Sequence, residues 1–126
     1  MNFARLVLRL SAVAFAGIGT AFLIAPASMG AYVGVTVSGA TADNDIRAVY
    51  GGLQLGCAAV LWAASIRSES LHLGLLVQIL LFSGLALGRF VSWSVVGLPG
   101  ALGLTLHAAE LVAIGAGLAA LLRLRH

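Results

Sequence analysis

The stretch Leu73–Gly88 decides the fold of this protein: it reads LGLLVQILLFSGLALG, and Gln78 and Ser83 are its only polar side chains. A helix built from these residues is apolar on every side and presents no face to water. It must therefore lie in lipid or in a dry protein interior. A chain of 126 residues is too short to build an interior that large. The stretch predicts a helix that crosses a membrane.

The composition of the whole chain supports the same interpretation. Hydrophobic residues make up 61% of the sequence and charged residues 9%, whereas soluble domains carry about 25% charged residues. The seven basic residues are all arginines and leave a net charge of +3. They lie at the ends of apolar segments or among apolar residues, not in a basic patch interleaved with aromatic residues. We therefore expect no nucleic-acid partner.

Four apolar segments are long enough to cross a membrane. They cover about residues 6–24, 46–66, 73–91 and 104–122, each close to the roughly 20 residues that span a ~30 Å hydrocarbon core. Backbone polar groups find no water in that core, so each segment should be helical. We predict an all-α integral membrane four-helix bundle, up-down-up-down with short loops. Residues 1–126 would form a single transmembrane domain.

The placement of the arginines predicts the orientation of this bundle. Five of them fall on one side of a chain that crosses four times: Arg5, Arg9, Arg67, Arg123 and Arg125. The positive-inside rule assigns that side to the cytoplasm. Both termini should therefore be cytoplasmic, and the connection that carries Asp43 and Asp45 should face outward.

A cleaved signal peptide is an alternative interpretation of the first segment. The segment has a basic start and an apolar run, followed by the small-x-small pattern Ala25-Pro26-Ala27. The apolar run is longer than the roughly 7–15 residues of an ordinary signal-peptide core. We therefore interpret the segment as a membrane span.

Three ionisable residues remain inside the predicted spans: Arg47, Arg89 and Glu110. Placing such a residue within a bilayer costs about 2.5–3.5 kcal/mol, so these residues are usually paired or functional. The predicted topology places all three near the outer ends of the second, third and fourth helices. We expect one polar layer in the outer leaflet.

Helical spacing adds three residues to this layer. Tyr50 and Gln54 follow Arg47 at steps of three and four residues, so the three share one face of an α-helix. His107 precedes Glu110 by three residues and shares its face. Tyr50 and His107 are therefore candidate hydrogen-bond partners of the charged groups.

The charges of the polar layer do not balance. We expect Glu110 to pair with Arg47 or Arg89, which leaves one arginine without an acid. Unless Asp45 folds inward, the spare positive charge should attract an anion.

We expect no metal and no cofactor. Glu110 is the only acid inside the predicted spans, and the single cysteine, Cys57, excludes both an internal disulfide and a Cys-based zinc site. The pattern His107-Ala-Ala-Glu110 therefore supplies too few ligands. The sequence also contains no nucleophile–base arrangement, phosphate loop or nucleotide fingerprint, so catalytic residues are not assigned.

Small residues recur at helix-packing intervals. Gly52–Gly56 and Gly84–Gly88 have GxxxG spacing, and Ala109, Ala113 and Gly117 repeat it. Such rows let helix backbones approach closely. We interpret them as packing surfaces within the bundle, and the alternative is a homo-oligomer that pairs through these faces.

The run Asn44–Gly52, NDIRAVYGG, resembles the most recognisable stretch of a family of small bacterial membrane proteins, catalogued as domain of unknown function 4345. Gly88-Arg89 and the acid Glu110 are also similar to that family, and the resemblance covers nearly the whole chain. It implies a four-helix fold and a bacterial origin, and therefore a multi-pass protein of the inner (plasma) membrane. It implies no activity.

These observations lead to a hypothesis of ligand binding. An outer-leaflet pocket between the second, third and fourth helices would bind an anionic or amphiphilic small molecule, or a membrane lipid. Its candidate residues are Arg47, Tyr50, Gln54, Arg89, His107 and Glu110. One alternative is a membrane enzyme for a lipophilic substrate, with Glu110 or His107 as acid or base. Another is a purely structural or accessory subunit of a membrane complex.

Cysteine-reactivity mapping in intact cells tests the orientation, once Cys57 has been replaced. Ala40→Cys should react with a membrane-impermeant reagent, because residue 40 precedes the second helix on the predicted outer side. Glu69→Cys should be shielded in the cytoplasmic turn. The opposite labelling pattern would reverse the orientation.

Overall fold

The computed structural model describes residues 2–124, and these residues form helices and no strand. The helices are α1 (Phe3–Ile24), α2 (Pro26–Tyr32), α3 (Gly39–Ile46), α4 (Leu53–Ile66), α5 (Leu71–Val96) and α6 (Ala101–Arg123). A π-helical segment, Arg47–Gly52, joins α3 to α4, and a 3₁₀ turn, Ser68–Ser70, precedes α5. Four helical stretches are long and apolar enough to cross a membrane, with α3, the π-helical segment and α4 forming the second. The prediction of an all-α four-helix bundle is confirmed. Arg125 lies outside the described residues.

The second and third spanning helices extend beyond their predicted ends. The second begins at Gly39, before the acidic residues that the sequence placed in a connection. Asp43 forms a salt bridge with Arg47 one turn later, which stabilises helical backbone there. The third continues to Val96 and ends at Gly97, whose φ of 104° suits glycine and stops the helix.

The first predicted connection also contains a helix. The sequence predicts no helix between residues 24 and 46, whereas Pro26 is the first residue of α2. Proline is favoured at this position because the first helical N–H groups have no partner within the helix. α2 lies beside the end of α1 and contacts α3.

α1 is the central helix of the bundle. It packs most extensively against α4 and also contacts α5 and α6, while α4 packs against α5 and α5 against α6. Five residues of α1 belong to the buried core: Ala4, Val7, Leu8, Ala12 and Phe15. The first segment is therefore an integral part of this fold.

The centre of the bundle is tightly packed in the half in which α1 begins. Leu8, Leu61 and Leu75 are fully buried at its centre. A Cβ atom on Gly74 would lie 2.5 Å from the Cβ of Ala64, so α4 and α5 approach as closely as their backbones allow. This close packing at one end of the bundle fixes the positions of the helices relative to one another.

Arginines surround this packed end. Arg5 Nη2 donates to Ser68 Oγ at 2.8 Å, and Arg9 Nε donates to Ser65 Oγ at 3.3 Å. The Arg123 guanidinium lies 4.6 Å from the centroid of the Phe3 ring. Arginines that are distant in sequence thus meet at one end of the bundle, as the four-crossing topology predicts.

One buried polar side chain joins the third and fourth spanning helices. Gln78 is fully buried in α5, and its Nε2 donates to the carbonyl oxygen of Ala113 in α6 at 2.9 Å. Its Oε1 lies directly against Gly117, where a side chain would not fit. The small residues Ala113 and Gly117 therefore allow α6 to approach Gln78.

The interpretation of the other two small-residue rows as packing surfaces is wrong. A Cβ atom on Gly56, Gly84 or Gly88 would meet nothing within 4 Å in the described chain. The glycines at close contacts between spanning segments are instead Gly19, Gly51, Gly74 and Gly117, which are not spaced as GxxxG pairs. Spacing alone does not identify the buried face, because these helices are apolar on all sides.

Gly117→Ala should destabilise the bundle, and Gly115→Ala should not. The new Cβ at position 117 would collide with Gln78 and lie 2.8 Å from Ile79 Cγ1, an overpacking that typically costs about 1–3 kcal/mol. Position 115 has open space, so alanine there should be neutral or mildly stabilising. Thermal unfolding of the two variants in the same detergent measures the difference. Equal midpoints would contradict the packing described for α5 and α6.

Candidate functional site

The other half of the bundle contains a cavity of about 500 Å³. All four spanning helices and α2 contribute to its wall, which is mostly apolar. Aromatic rings form much of this wall: Phe15 and Phe82 pack with ring centroids 5.2 Å apart, and Phe22 lies 5.1 Å from Tyr50. The cavity can therefore accommodate a predominantly apolar molecule.

The polar part of the wall consists of Tyr32 of α2 and four residues from three spanning segments: Tyr50, Gln54, Arg89 and Glu110. Arg89 Nε in α5 donates to Glu110 Oε1 in α6 at 2.8 Å. The Glu110 side chain is 7% exposed and that of Arg89 is 32% exposed. The salt bridge thus lies at the cavity wall, with its acid more deeply buried than its base.

Glu110 retains an unpaired oxygen. Its Oε2 is buried, accepts no hydrogen bond from residues 2–124, and lies 3.7 Å from Nδ1 of His107. That distance is too long for a hydrogen bond. The His107 ring packs against Trp93 at 4.5 Å between centroids and lies outside the cavity lining. The structure therefore brings His107 next to Glu110 without placing it in the cavity.

The structure does not bring Arg47 to the cavity. Its Nε donates to Asp43 Oδ2 at 2.7 Å, and its Nη1 donates to the carbonyl oxygen of Leu23 at the end of α1. The two arginines therefore pair with different acids: Arg89 contacts Glu110, and Arg47 contacts Asp43. The expectation of a spare positive charge is wrong, because the earlier start of α3 places Asp43 one turn before Arg47.

The π-helical segment explains why Arg47 and Tyr50 separate. A π-helix has a wider turn than an α-helix, so residues three apart no longer share one face. Arg47 is directed toward the end of α1, whereas Tyr50 and Gln54 line the cavity. The predicted common face of these three residues assumed an uninterrupted α-helix. π-helical turns occur frequently at functional sites.

Glycines allow α1 to pack closely on this π-helical segment. A Cβ atom on Gly51 would lie 2.7 Å from Leu23 Cδ2, and one on Gly19 would lie 2.9 Å from the carbonyl oxygen of Gly51. Larger residues at either position would separate α1 from the segment. These contacts hold Tyr50 beside Phe22 at the cavity.

Sequence reasoning missed several residues of the site. The sequence analysis places Asp43 in a connection, although its i,i+4 spacing to Arg47 signals a salt bridge. Met29 and Tyr32 of α2 line the cavity, and Pro26 was an available signal for that helix. Nothing in the sequence indicates the Leu23 carbonyl as a partner of Arg47. In the described part of the chain, no three His, Cys, Asp or Glu side chains cluster to hold a metal.

Comparison with known protein families matches residues 3–121 to the family described as domain of unknown function (DUF4345). The chain belongs to the DUF4345 family. The resemblance predicted from NDIRAVYGG is thereby confirmed, and the RAVYGG part of this DUF4345 protein forms the π-helical segment Arg47–Gly52. No curated protein and no solved structure matches the chain.

A double-mutant cycle should detect coupling between Arg89 and Glu110. Glu110→Ala should destabilise the detergent-solubilised protein by about 3 kcal/mol, the lower end for buried pairs because Arg89 is partly exposed. Combining it with Arg89→Ala should cost less than the sum of the single effects. Glu110→Ala and Arg47→Ala should be additive, since Arg47 pairs elsewhere. Additivity in both cycles would contradict the pairing.

Proposed function

We propose that this DUF4345 protein binds an amphiphilic small molecule or lipid in the cavity between its helices. The observation that carries the proposal is a cavity of about 500 Å³ with aromatic walls and a salt bridge at its edge. Ligand pockets commonly measure about 300–1,000 Å³ and combine apolar walls with a few polar groups. The arrangement suits a molecule with an apolar body and a small polar head.

We also propose which membrane the protein occupies and how it is oriented there. The chain would be a multi-pass protein of the bacterial inner membrane with both termini in the cytoplasm. The meeting of Arg5, Arg9 and Arg123 at one end of the bundle supports this orientation. The cavity lies in the opposite half, which would be the outer leaflet.

The two ends of the ligand would meet different parts of the cavity. Its apolar body would contact the rings of Phe15, Phe22 and Phe82. Its head would meet Arg89, whose hydrogen bond to Glu110 uses Nε and leaves the terminal nitrogens for a further acceptor. The salt bridge would then fix the guanidinium in position as well as lower the cost of its charge.

Access from the surrounding lipid is consistent with the cavity lining. Ile18, Leu85 and Leu102 line the cavity and are exposed, so the cavity is not closed off by buried side chains at these positions. In a bilayer these side chains would contact acyl chains. A lipophilic molecule would therefore reach the cavity sideways without crossing water.

A membrane enzyme acting on a lipophilic substrate is the second candidate. The unpaired Oε2 of Glu110 beside Nδ1 of His107 favours it, because two adjacent titratable groups suit proton transfer. Only Glu110 of the two lines the cavity. Glu110 would be the group that exchanges a proton with the substrate. A purely structural subunit accounts for the salt bridge but not for the cavity beside it.

Native mass spectrometry with lipid identification tests the binding proposal. The purified wild-type protein should retain an amphiphile. Ala109→Trp should lose it, because Ala109 lines the cavity and the indole would fill the space. Ala108→Trp is the matched control, since residue 108 is exposed and lies outside the lining. A wild-type protein without bound amphiphile, or equal retention by both variants, would contradict the proposal.

A further inference from the structure

We infer that the protein holds an anionic phospholipid in a groove between α4 and α5, a second site that is independent of the cavity described above. The groove measures about 520 Å³, and no described residue lines both it and that cavity. Three observations support the inference: the groove runs along the two helices, it is open to the surrounding membrane, and its polar end carries an arginine that has no partner among residues 2–124.

The groove follows the axes of both helices. Its lining residues recur at steps of three and four, which keeps them on one face of each helix: Val60, Ala63 and Arg67 on one side, and Ser70, Gly74 and Val77 on the other. α4 and α5 run in opposite directions from the turn between them, so Arg67 and Ser70 lie together at one end of the groove. The apolar end, at Val60 and Val77, is roughly 10 Å away, about a third of a ~30 Å hydrocarbon core. The groove thus lies within one leaflet.

The groove is open to the lipid that surrounds the bundle. Its floor consists of small residues: Gly74 is buried, and a Cβ atom on it would lie 2.5 Å from the Cβ of the half-buried Ala64. Larger side chains line its sides, where Val60 and Leu73 are more than half exposed. A hydrocarbon chain in the bilayer can therefore lie against the small residues, between the larger ones.

The polar end of the groove offers two hydrogen-bond donors. Arg67 is exposed, and its guanidinium forms no hydrogen bond or salt bridge with the described residues. Ser70 is adjacent to it, because the Ser70 N–H donates to the carbonyl oxygen of Arg67 at 3.1 Å. Ser70 is the N-cap of α5, but its hydroxyl makes no capping hydrogen bond. A guanidinium and a hydroxyl both donate to the oxygens of a phosphate group.

The charge around this turn favours an anion. Arg5 donates to Ser68 Oγ at 2.8 Å and so adds a second positive group beside Arg67. Glu69 is the only acid in the turn, where it is exposed and forms no salt bridge with the described residues. Phosphatidylglycerol brings a net negative charge to these arginines, whereas phosphatidylcholine is neutral overall. Basic residues at a membrane surface attract anionic lipids in this way.

The two ends of the groove together specify the occupant. A free phosphate ion would meet only Arg67 and Ser70 and would leave the apolar length of the groove unfilled. A plain hydrocarbon would fill that length and leave Arg67 without a counter-charge. An anionic phospholipid joins a phosphate to an acyl chain and therefore matches both ends. In the proposed orientation, this lipid belongs to the cytoplasmic leaflet.

Native mass spectrometry of the delipidated full chain in a neutral detergent tests the inference. The probes are dioleoyl phosphatidylglycerol, dioleoyl phosphatidylcholine and glycerol phosphate. Phosphatidylglycerol should bind about fivefold more tightly than phosphatidylcholine, the preference that one arginine near a membrane surface provides. Glycerol phosphate should not compete with it, because glycerol phosphate has no chain to fill the groove. Equal or tighter binding of phosphatidylcholine, or competition by glycerol phosphate, would overturn the inference.

Two arginine variants separate a specific site from general attraction to the basic end of the bundle. Arg67→Gln should remove the preference for phosphatidylglycerol, because Arg67 lines the groove. Arg123→Gln is the matched control: it removes the same charge from the same end, but Arg123 lies over the Phe3 ring and does not line the groove. Its preference should stay close to that of the wild type. Equal losses in the two variants would show general attraction and overturn the site.

Tryptophan substitutions test where the acyl chain lies. Ala63→Trp should weaken phosphatidylglycerol binding severalfold, because the indole would occupy the groove. Ala59→Trp is the matched control, since Ala59 is exposed on α4 outside the lining. Equal binding by these two variants would contradict the site. Ala109→Trp fills the first cavity and should leave the lipid preference unchanged. Loss of the preference in Ala109→Trp would place the lipid in that cavity and overturn the second site.

The same spectra report the oligomeric state. A dimer that Ala63→Trp disrupts, together with no lipid preference in the wild type, would assign the groove to a second copy of the chain and overturn the inference. If Arg67→Gln does not fold, the lipid ranking and the comparison of Ala63→Trp with Ala59→Trp decide. Failure of this inference leaves the proposed cavity ligand unaffected, because no described residue lines both sites.

Discussion

A polar group in a hydrocarbon environment must find its partner within the protein, and the rest of this structure depends on how that constraint is met. Arg89 and Glu110 meet it through one hydrogen-bonded contact across two helices. Arg47 meets it through Asp43 and the Leu23 carbonyl, and Gln78 through the Ala113 carbonyl. These contacts determine how the helices face one another, because the apolar surfaces alone would allow many rotations.

The two halves of the bundle differ in how they are packed. The centre of one half is filled by side chains such as Leu8, Leu61 and Leu75. The other half carries the Arg89–Glu110 salt bridge and the cavity lined by aromatic rings. Packing in the first half maintains the positions of the helices, so the second half can remain open without loss of the fold. Binding proteins commonly separate a rigid scaffold from a less densely packed site in this way.

The sequence was sufficient for the fold class and the number of spanning helices, because hydrophobic length is a strong signal. It also identified Arg89, Glu110, Tyr50 and Gln54 as residues of one layer, since their depth follows from topology and the rise per residue. It failed where the helix geometry is irregular. The π-helical segment removed Arg47 from the shared face, and no periodicity rule for α-helices anticipates such a segment. The exposed face of an apolar helix was likewise not predictable from small-residue spacing.

The length of the π-helical segment determines how α3 and α4 are rotated relative to each other within the second spanning helix. A π-helical turn holds about one residue more than an α-helical turn, and one residue corresponds to about 100° of rotation in an α-helix. The segment Arg47–Gly52 therefore sets the angular offset between α3 and α4. Loss of a single residue there would restore regular helix while rotating Arg47 and Asp43 away from α1 or Gln54 away from the cavity. The length of this short segment is thus as important as its side chains.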